Sequence, residues 1–263
     1  MDAWMPRVIF NLIFALLVWW LHRGVGKYPP SLLGSADRKR EMWEVAILYG
    51  IALAFSTFDR LYFTPWLQAS IPSPKLQELV RVPVLSLIYA VLPIIWVMRV
   101  NGWEWKDLGF TFRSKSKDVS IFALTLGAVT GLVAFLSGKS NLGLQALPPG
   151  VLILLFYNNA ILEELFYRGV LQAKLERGIG QQAAIVWGGI LFGLKHLALD
   201  TTALSESSGC LAVLLALMLQ TLSGWLLGMT YMKTRSLWPG IICHYLGNWM
   251  PSFMLYSQVV FLK

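Results

Sequence analysis

Charge is scarce in this chain. Asp, Glu, Lys and Arg make up 14% of its 263 residues and hydrophobic types 56%. Soluble domains average about 25% charged and about 45–50% apolar. An ordinary soluble domain is thereby excluded. The composition predicts an all-α, polytopic integral membrane protein, with one integral domain over residues 1–263 and no room for a large soluble one. Cysteine is nearly absent: Cys210 and Cys243 lie in apolar stretches, without the spacing of a zinc site or a disulfide framework. Both read as small buried apolar residues. The chain has no Gly-x-Ser-x-Gly and no His-Glu-x-x-His, so it lacks the signatures of a serine hydrolase elbow and of a zincin helix. It has no internal repeat and no low-complexity tract. After the apolar run Val8–Leu21 no small-x-small cleavage site follows, so that run reads as a retained first span.

Apolar runs are abundant. A spanning helix needs about 20 mostly apolar residues, and eight segments qualify: 5–22, 42–58, 79–98, 118–137, 149–173, 182–199, 210–231 and 236–257. Gly, Pro and Ser punctuate the connections. Trp19, Trp20, Trp43, Trp66, Trp103, Trp105 and Trp238 stand near segment ends, as interfacial belts require. The net charge of +8 does not signal nucleic acid, because the cations sit in loops between apolar runs. Fourteen Lys and Arg fall in the odd-numbered loops and three in the even-numbered ones, which puts the odd loops in the cytoplasm and makes membrane lipids the expected partners. Arg38-Lys39-Arg40 reads as a topology signal. The compactness of the chain suits a multi-pass protein of a prokaryotic plasma membrane.

Three polar clusters interrupt this apolar background: Glu163-Glu164-x-x-x-Arg168, Phe192-x-x-x-His196 and His244-x-x-x-Asn248. Ionisable groups at membrane depth are expensive and are functional candidates by default. Two of the chain's three histidines lie here; the third, His22, reads as an interfacial residue. Glu164 and Arg168, four apart, share a helix face and can pair. Glu163 is rotated by about 100° and stands apart as the reactive carboxylate. If spans five and six form a hairpin turning near Gly178–Gly180, Glu163 and His196 both sit on the order of 25 Å from the turn. His244 lies about 15 Å from its own turn, so the three become level if the five–six hairpin, with its polar tip at 174–182, projects roughly 10 Å further into the cytoplasm.

A buried carboxylate close to a neutral imidazole can take a proton from water. A second His and an Asn amide offer N–H donors for a developing oxyanion. Together these are the means for peptide hydrolysis by direct attack of water. Other readings stay open on residues alone. Glu163, His196 and His244 are also a reasonable zinc ligand set, the basis of a metal-dependent alternative. Both glutamates could merely satisfy Arg168, as in a non-catalytic membrane scaffold or immunity protein. Cys243 could meet His196 across helices. A proton-relaying transporter is disfavoured by the lack of an inverted repeat and of paired broken helices.

The three motifs, in order and inside polytopic helices, resemble the CAAX prenyl endopeptidase and bacteriocin-processing (CPBP, or Abi) family of intramembrane proteases. The resemblance covers about 118–257. It implies a glutamate-dependent endopeptidase of about eight spans, acting near the C-terminus of a membrane-anchored or lipidated protein or peptide, without metal or cofactor. By the same resemblance Glu163 and His196 activate water and His244 and Asn248 stabilise the oxyanion. Glu164, Arg168 and Phe192 hold the site in shape.

Overall fold

A computed structural model describes residues 5–30, 37–136, 149–204 and 209–261. These residues form eight helical rods and no strand. They are α1 (Met5–Gly24), α2 (Arg38–Ser70), α3 (74–100), α4 (Lys117–Leu136), α5 (149–179), α6 (Gln181–Leu204), α7 (Gly209–Thr234) and α8 (Trp238–Phe261). Four stretches are long and apolar enough to cross a membrane: Arg38–Ser70, Leu76–Val100, Lys117–Leu136 and Val213–Thr234. Eight crossings were expected; among the described residues four helices have the length and hydropathy of a crossing. Among the described residues, Val8–Gly24 of α1 is a shorter apolar helix. Many large apolar side chains, among them Leu16, Trp19, Ile51, Ile121 and Ile153, face outward, as lipid-facing surfaces do. The chain is an integral membrane protein.

Local chemistry sets the helix ends. Asp37 caps α2, its Oδ1 accepting from the Lys39 and Arg40 amides at 2.9 and 3.4 Å. Gly180, with φ 86°, ends α5 and lets α6 begin at once. Between α7 and α8 the chain turns through Arg235, a non-glycine at φ 54°. Its guanidinium is held by Glu176 at 2.6 and 2.7 Å and by the Pro29 and Pro30 carbonyls at 3.3 and 3.2 Å.

Small residues let the rods approach. α6 crosses α7 at Gly189 and Gly224, where a β-carbon on Gly224 would lie 2.8 Å from the Gly189 Cα. α4 meets α8 at Gly127, whose added β-carbon would stand 2.7 Å from the Cys243 carbonyl oxygen. α5 runs through the middle of the core, with Leu165 to Glu176 buried without interruption.

The basic end of the bundle differs from expectation. The 174–182 tip was read as a polar projection, but Lys174 is fully buried against α2. Its Nζ donates to Glu41 at 3.0 Å, to Glu44, and to the Asn101 side-chain oxygen at 3.0 Å. Arg177 pairs with Glu41 at 3.2 Å. Arg40, read as a topology signal, also bonds Glu44 at 2.8 Å and the Val100 carbonyl at 3.2 Å. Glutamates in the first turns of α2 supply counter-charge that a count of cations alone misses. Trp103 and Trp238 depart from the belt reading as well. Trp103 is buried beneath Lys174 and Arg177, 5.1 and 5.4 Å from its ring centre, and Trp238 stacks on Phe112 at 4.9 Å. Cys243 is buried as expected; Cys210, at the start of α7, is exposed. His22 is half-buried and bonds the Tyr28 hydroxyl at 3.0 Å.

Lys233 is a further buried cation. Its ammonium lies within 2.5–3.2 Å of the carbonyls of Leu21, His22, Val25 and Gly26, over the Tyr28 ring. It therefore satisfies the carbonyls that the end of α1 leaves without helical partners.

Candidate active site

Glu163 and Glu164 sit on α5 between two wide-turn π-helical stretches, Phe156–Leu162 and Leu165–Gln172. Such stretches are rare and recur at functional sites. The two carboxylates point to different partners, as their angular separation requires. Glu164 is buried. Its Oε1 is 3.2 Å from Arg168 Nη1 and 3.1 Å from His244 Nδ1, so it joins α5 to α8. A β-carbon on Gly240 would stand 3.2 Å from Glu164 Oε2, so a small residue makes room for the carboxylate against α8. Arg168 reaches across to the Gly224 carbonyl at 3.3 Å and lies 4.4 Å from the centre of the Phe192 ring. The expected Glu164–Arg168 pair is present, and His244 is a second partner that the spacing did not reveal.

Glu163 keeps 18% of its side chain exposed. It lies within electrostatic reach of Lys195, His196 and His244. Its Oε1 accepts from Lys195 Nζ at 2.6 Å. Lys195 is the site residue that sequence reasoning passed over. The signal was available: it is an intramembrane lysine one residue before His196, and such a lysine needs a carboxylate.

Phe192 is the hub. Its ring centre is 4.7 Å from that of His196, 6.2 Å from that of His244 and 5.2 Å from that of Tyr167. The His244 contact brings α6 and α8 together at the site, a meeting the sequence could only presuppose. His196 Nδ1 lies 2.9 Å from the Phe192 carbonyl, which can only accept, so Nδ1 carries a proton and Nε2 is the free ring nitrogen. His244 Nδ1 likewise donates to Glu164, which leaves its Nε2 free. Asn248 lies one turn further along α8, half-buried, without a hydrogen bond to Glu163, His196 or His244.

The structure therefore sets His196 and His244 against Phe192, with Glu163 within electrostatic reach of both imidazoles and Glu164 and Arg168 buried nearby. Among the described residues no three His, Cys, Asp or Glu side chains assemble as ligands for a metal ion. The cation beside Glu163 Oε1 is the Lys195 ammonium.

Residues 145–250 match the family described as Type II CAAX prenyl endopeptidase Rce1-like. Searches against curated proteins and against solved structures return no match. The matched stretch contains all three polar clusters and the α5, α6 and α8 faces that carry them. Over that stretch, the chain is similar to the Rce1-like family of Type II CAAX prenyl endopeptidases.

Proposed function

We propose that this protein is a glutamate-dependent intramembrane endopeptidase. It hydrolyses a peptide bond near the C-terminus of a membrane-associated protein or peptide, prenylated in the CAAX manner or unmodified. The observation that carries the reading is the packing of His196 and His244 against Phe192, both imidazoles tied at Nδ1, with Glu163 within electrostatic reach of both rings. The likeness of residues 145–250 to the Rce1-like family supports the same class of activity.

In this reading a water between Glu163 and His196 loses a proton to the carboxylate as its oxygen attacks the scissile carbonyl carbon. The carbonyl oxygen becomes an oxyanion and is met by His244 Nε2 and the Asn248 amide. Donation from Nε2 while Nδ1 also donates to Glu164 requires a ring carrying both protons, and Glu164 supplies that form's counter-charge. Collapse of the tetrahedral intermediate breaks the carbon–nitrogen bond. The proton held by Glu163, relayed through His196, passes to the leaving amine. No metal enters these steps. Arg168 and Phe192 shape the pocket, while bilayer lipids and a membrane-anchored substrate are the proposed partners, in a prokaryotic plasma membrane.

The test is a cleavage panel with the purified full chain in detergent, comparing farnesylated and unmodified peptides ending in Cys-aliphatic-aliphatic-X. Wild type is expected to cut at least one class, and Glu163→Ala none. Undiminished turnover by a verified Glu163→Ala protein ends the assignment.

A further inference from the structure

Two buried cations and two carboxylates share the centre of the site, and they are sorted. Glu164 faces Arg168 and His244, whereas Glu163 faces Lys195. The Lys195 side chain is 6% exposed, and its ammonium lies 5.3 Å from the Tyr89 ring centre and 5.5 Å from that of Tyr167. Both rings are themselves fixed. The Tyr89 hydroxyl donates to the Ala52 carbonyl at 3.2 Å, and Tyr167 packs edge-on against Phe166 and Phe192 at 5.1 and 5.2 Å. The ammonium is thus held by two π faces before it meets Glu163.

A buried ion pair is weak evidence of stability, because desolvation offsets its Coulombic gain. The geometry of this pair gives it a different use. Glutamate has three side-chain torsions, and an untethered carboxylate would sample several rotamers. Lys195 binds Oε1 at 2.6 Å. Among the described residues no other hydrogen bond reaches Glu163, so Oε2 is left open. Lys195 and His196 are neighbours on α6, so one rigid helix supplies both the pin and the imidazole that faces the pinned group.

We infer that Lys195 is a positioning residue for Glu163: its ammonium holds Oε1 and so aims Oε2 at the space between His196 and His244. The inference rests on the endopeptidase reading above. A displacement of about 1 Å in a reacting group can lower a rate on the order of 10²-fold.

The test measures kcat, KM and thermal melting of the full chain in detergent for wild type, Glu163→Ala, Lys195→Met, Lys195→Gln and Lys195→Arg, on a farnesylated peptide ending in Cys-aliphatic-aliphatic-X and on its unmodified counterpart, with kinetics taken on whichever wild type cleaves. Lys195→Met is expected to lower kcat by about 10²-fold with KM within about threefold of wild type. Lys195→Arg, which keeps a cationic donor, is expected to retain at least about a tenth of wild-type kcat. A merely structural lysine would instead show melting and activity falling together, without rescue by Arg. A folded Lys195→Met protein with kcat within about tenfold of wild type overturns the inference. If Lys195→Met does not fold, Lys195→Gln is read on the same scale: a loss beyond about tenfold supports positioning, and a smaller loss overturns it. An inert Glu163→Ala beside a fully active Lys195→Met defeats this inference alone. A wild-type chain that cleaves neither peptide class removes the endopeptidase reading and this inference with it.

Discussion

His244 Nδ1 lies 3.1 Å from Glu164 Oε1, the same oxygen that stands 3.2 Å from Arg168. One buried carboxylate therefore orients a ring on α8 and neutralises a guanidinium on its own helix. Glu164→Ala leaves Arg168 with an uncompensated charge and His244 without its Nδ1 acceptor. Breaking such a buried pair from one side typically costs about 3–5 kcal/mol. Melting temperature and cleavage should fall together in Glu164→Ala, and in Arg168→Ala. Unaltered melting curves for both proteins would contradict the structural pairing.

Asn248 should rank below Glu163, His196 and His244. Asn248→Ala is expected to reduce kcat by about 10²–10³-fold, the usual loss of one such donor. Glu163→Ala, His196→Ala and His244→Ala are each expected to abolish cleavage while keeping a wild-type detergent elution profile. Single-turnover kinetics separate the two classes. An Asn248→Ala enzyme as dead as Glu163→Ala would assign the amide another task.

Because α4 touches α8 at Gly127, that residue controls where His244 sits. A β-carbon at position 127 would meet the Cys243 backbone at 2.7 Å, one residue before the imidazole. Backbone cannot swing aside, so Gly127→Ala must push the rods apart. Overpacking of this kind costs about 1–3 kcal/mol. Activity should drop further than stability does, since the ring moves with its helix. Parallel melting and kcat measurements decide it, and a full-rate Gly127→Ala protein would count against this packing.

At the basic end, Lys174→Met should destabilise by about 3–5 kcal/mol, because Glu41 and Glu44 are left facing each other. Adding Glu44→Gln to that variant should recover part of the loss. A double-mutant cycle on chemical or thermal unfolding yields the coupling. Strictly additive effects would show that the pair does not interact. Turnover per folded molecule should stay near wild type throughout, as none of these groups touches Glu163, His196 or His244.

The mechanism proposed here is also testable through metal. Thorough chelation should leave cleavage unchanged, because the proposed steps use only Glu163, His196, His244 and Asn248. Loss on chelation followed by specific recovery with zinc would overturn the metal-free steps.

Much of this was legible in the chain itself. Polar residues in an apolar background announce themselves, so the three clusters, the helical class and the Glu164–Arg168 pair could be read from spacing. What spacing cannot carry is the partner on another helix. Glu163 meets Lys195 and Glu164 meets His244 across 32 and 80 residues of chain, and no local periodicity encodes either. The depth estimate assumed uniform α-helical rise. The π-helical stretch Leu165–Gln172, between Glu163 and the Gly180 turn, departs from that geometry. Cys210, Trp103 and the 174–182 tip were misread for one reason: hydropathy reports what a segment prefers, not which neighbour covers it.

Lys233 has a consequence for assembly. Its cage is made of main-chain oxygens at the end of the first helix and just beyond it, whereas the lysine itself belongs to α7. Until that first stave has docked, a late-synthesised rod carries a cation without its carbonyl cage. Insertion of the opening segment and closure of the catalytic half are thereby coupled, and a chain stripped of its first rod forfeits more than the apolar surface that rod covers.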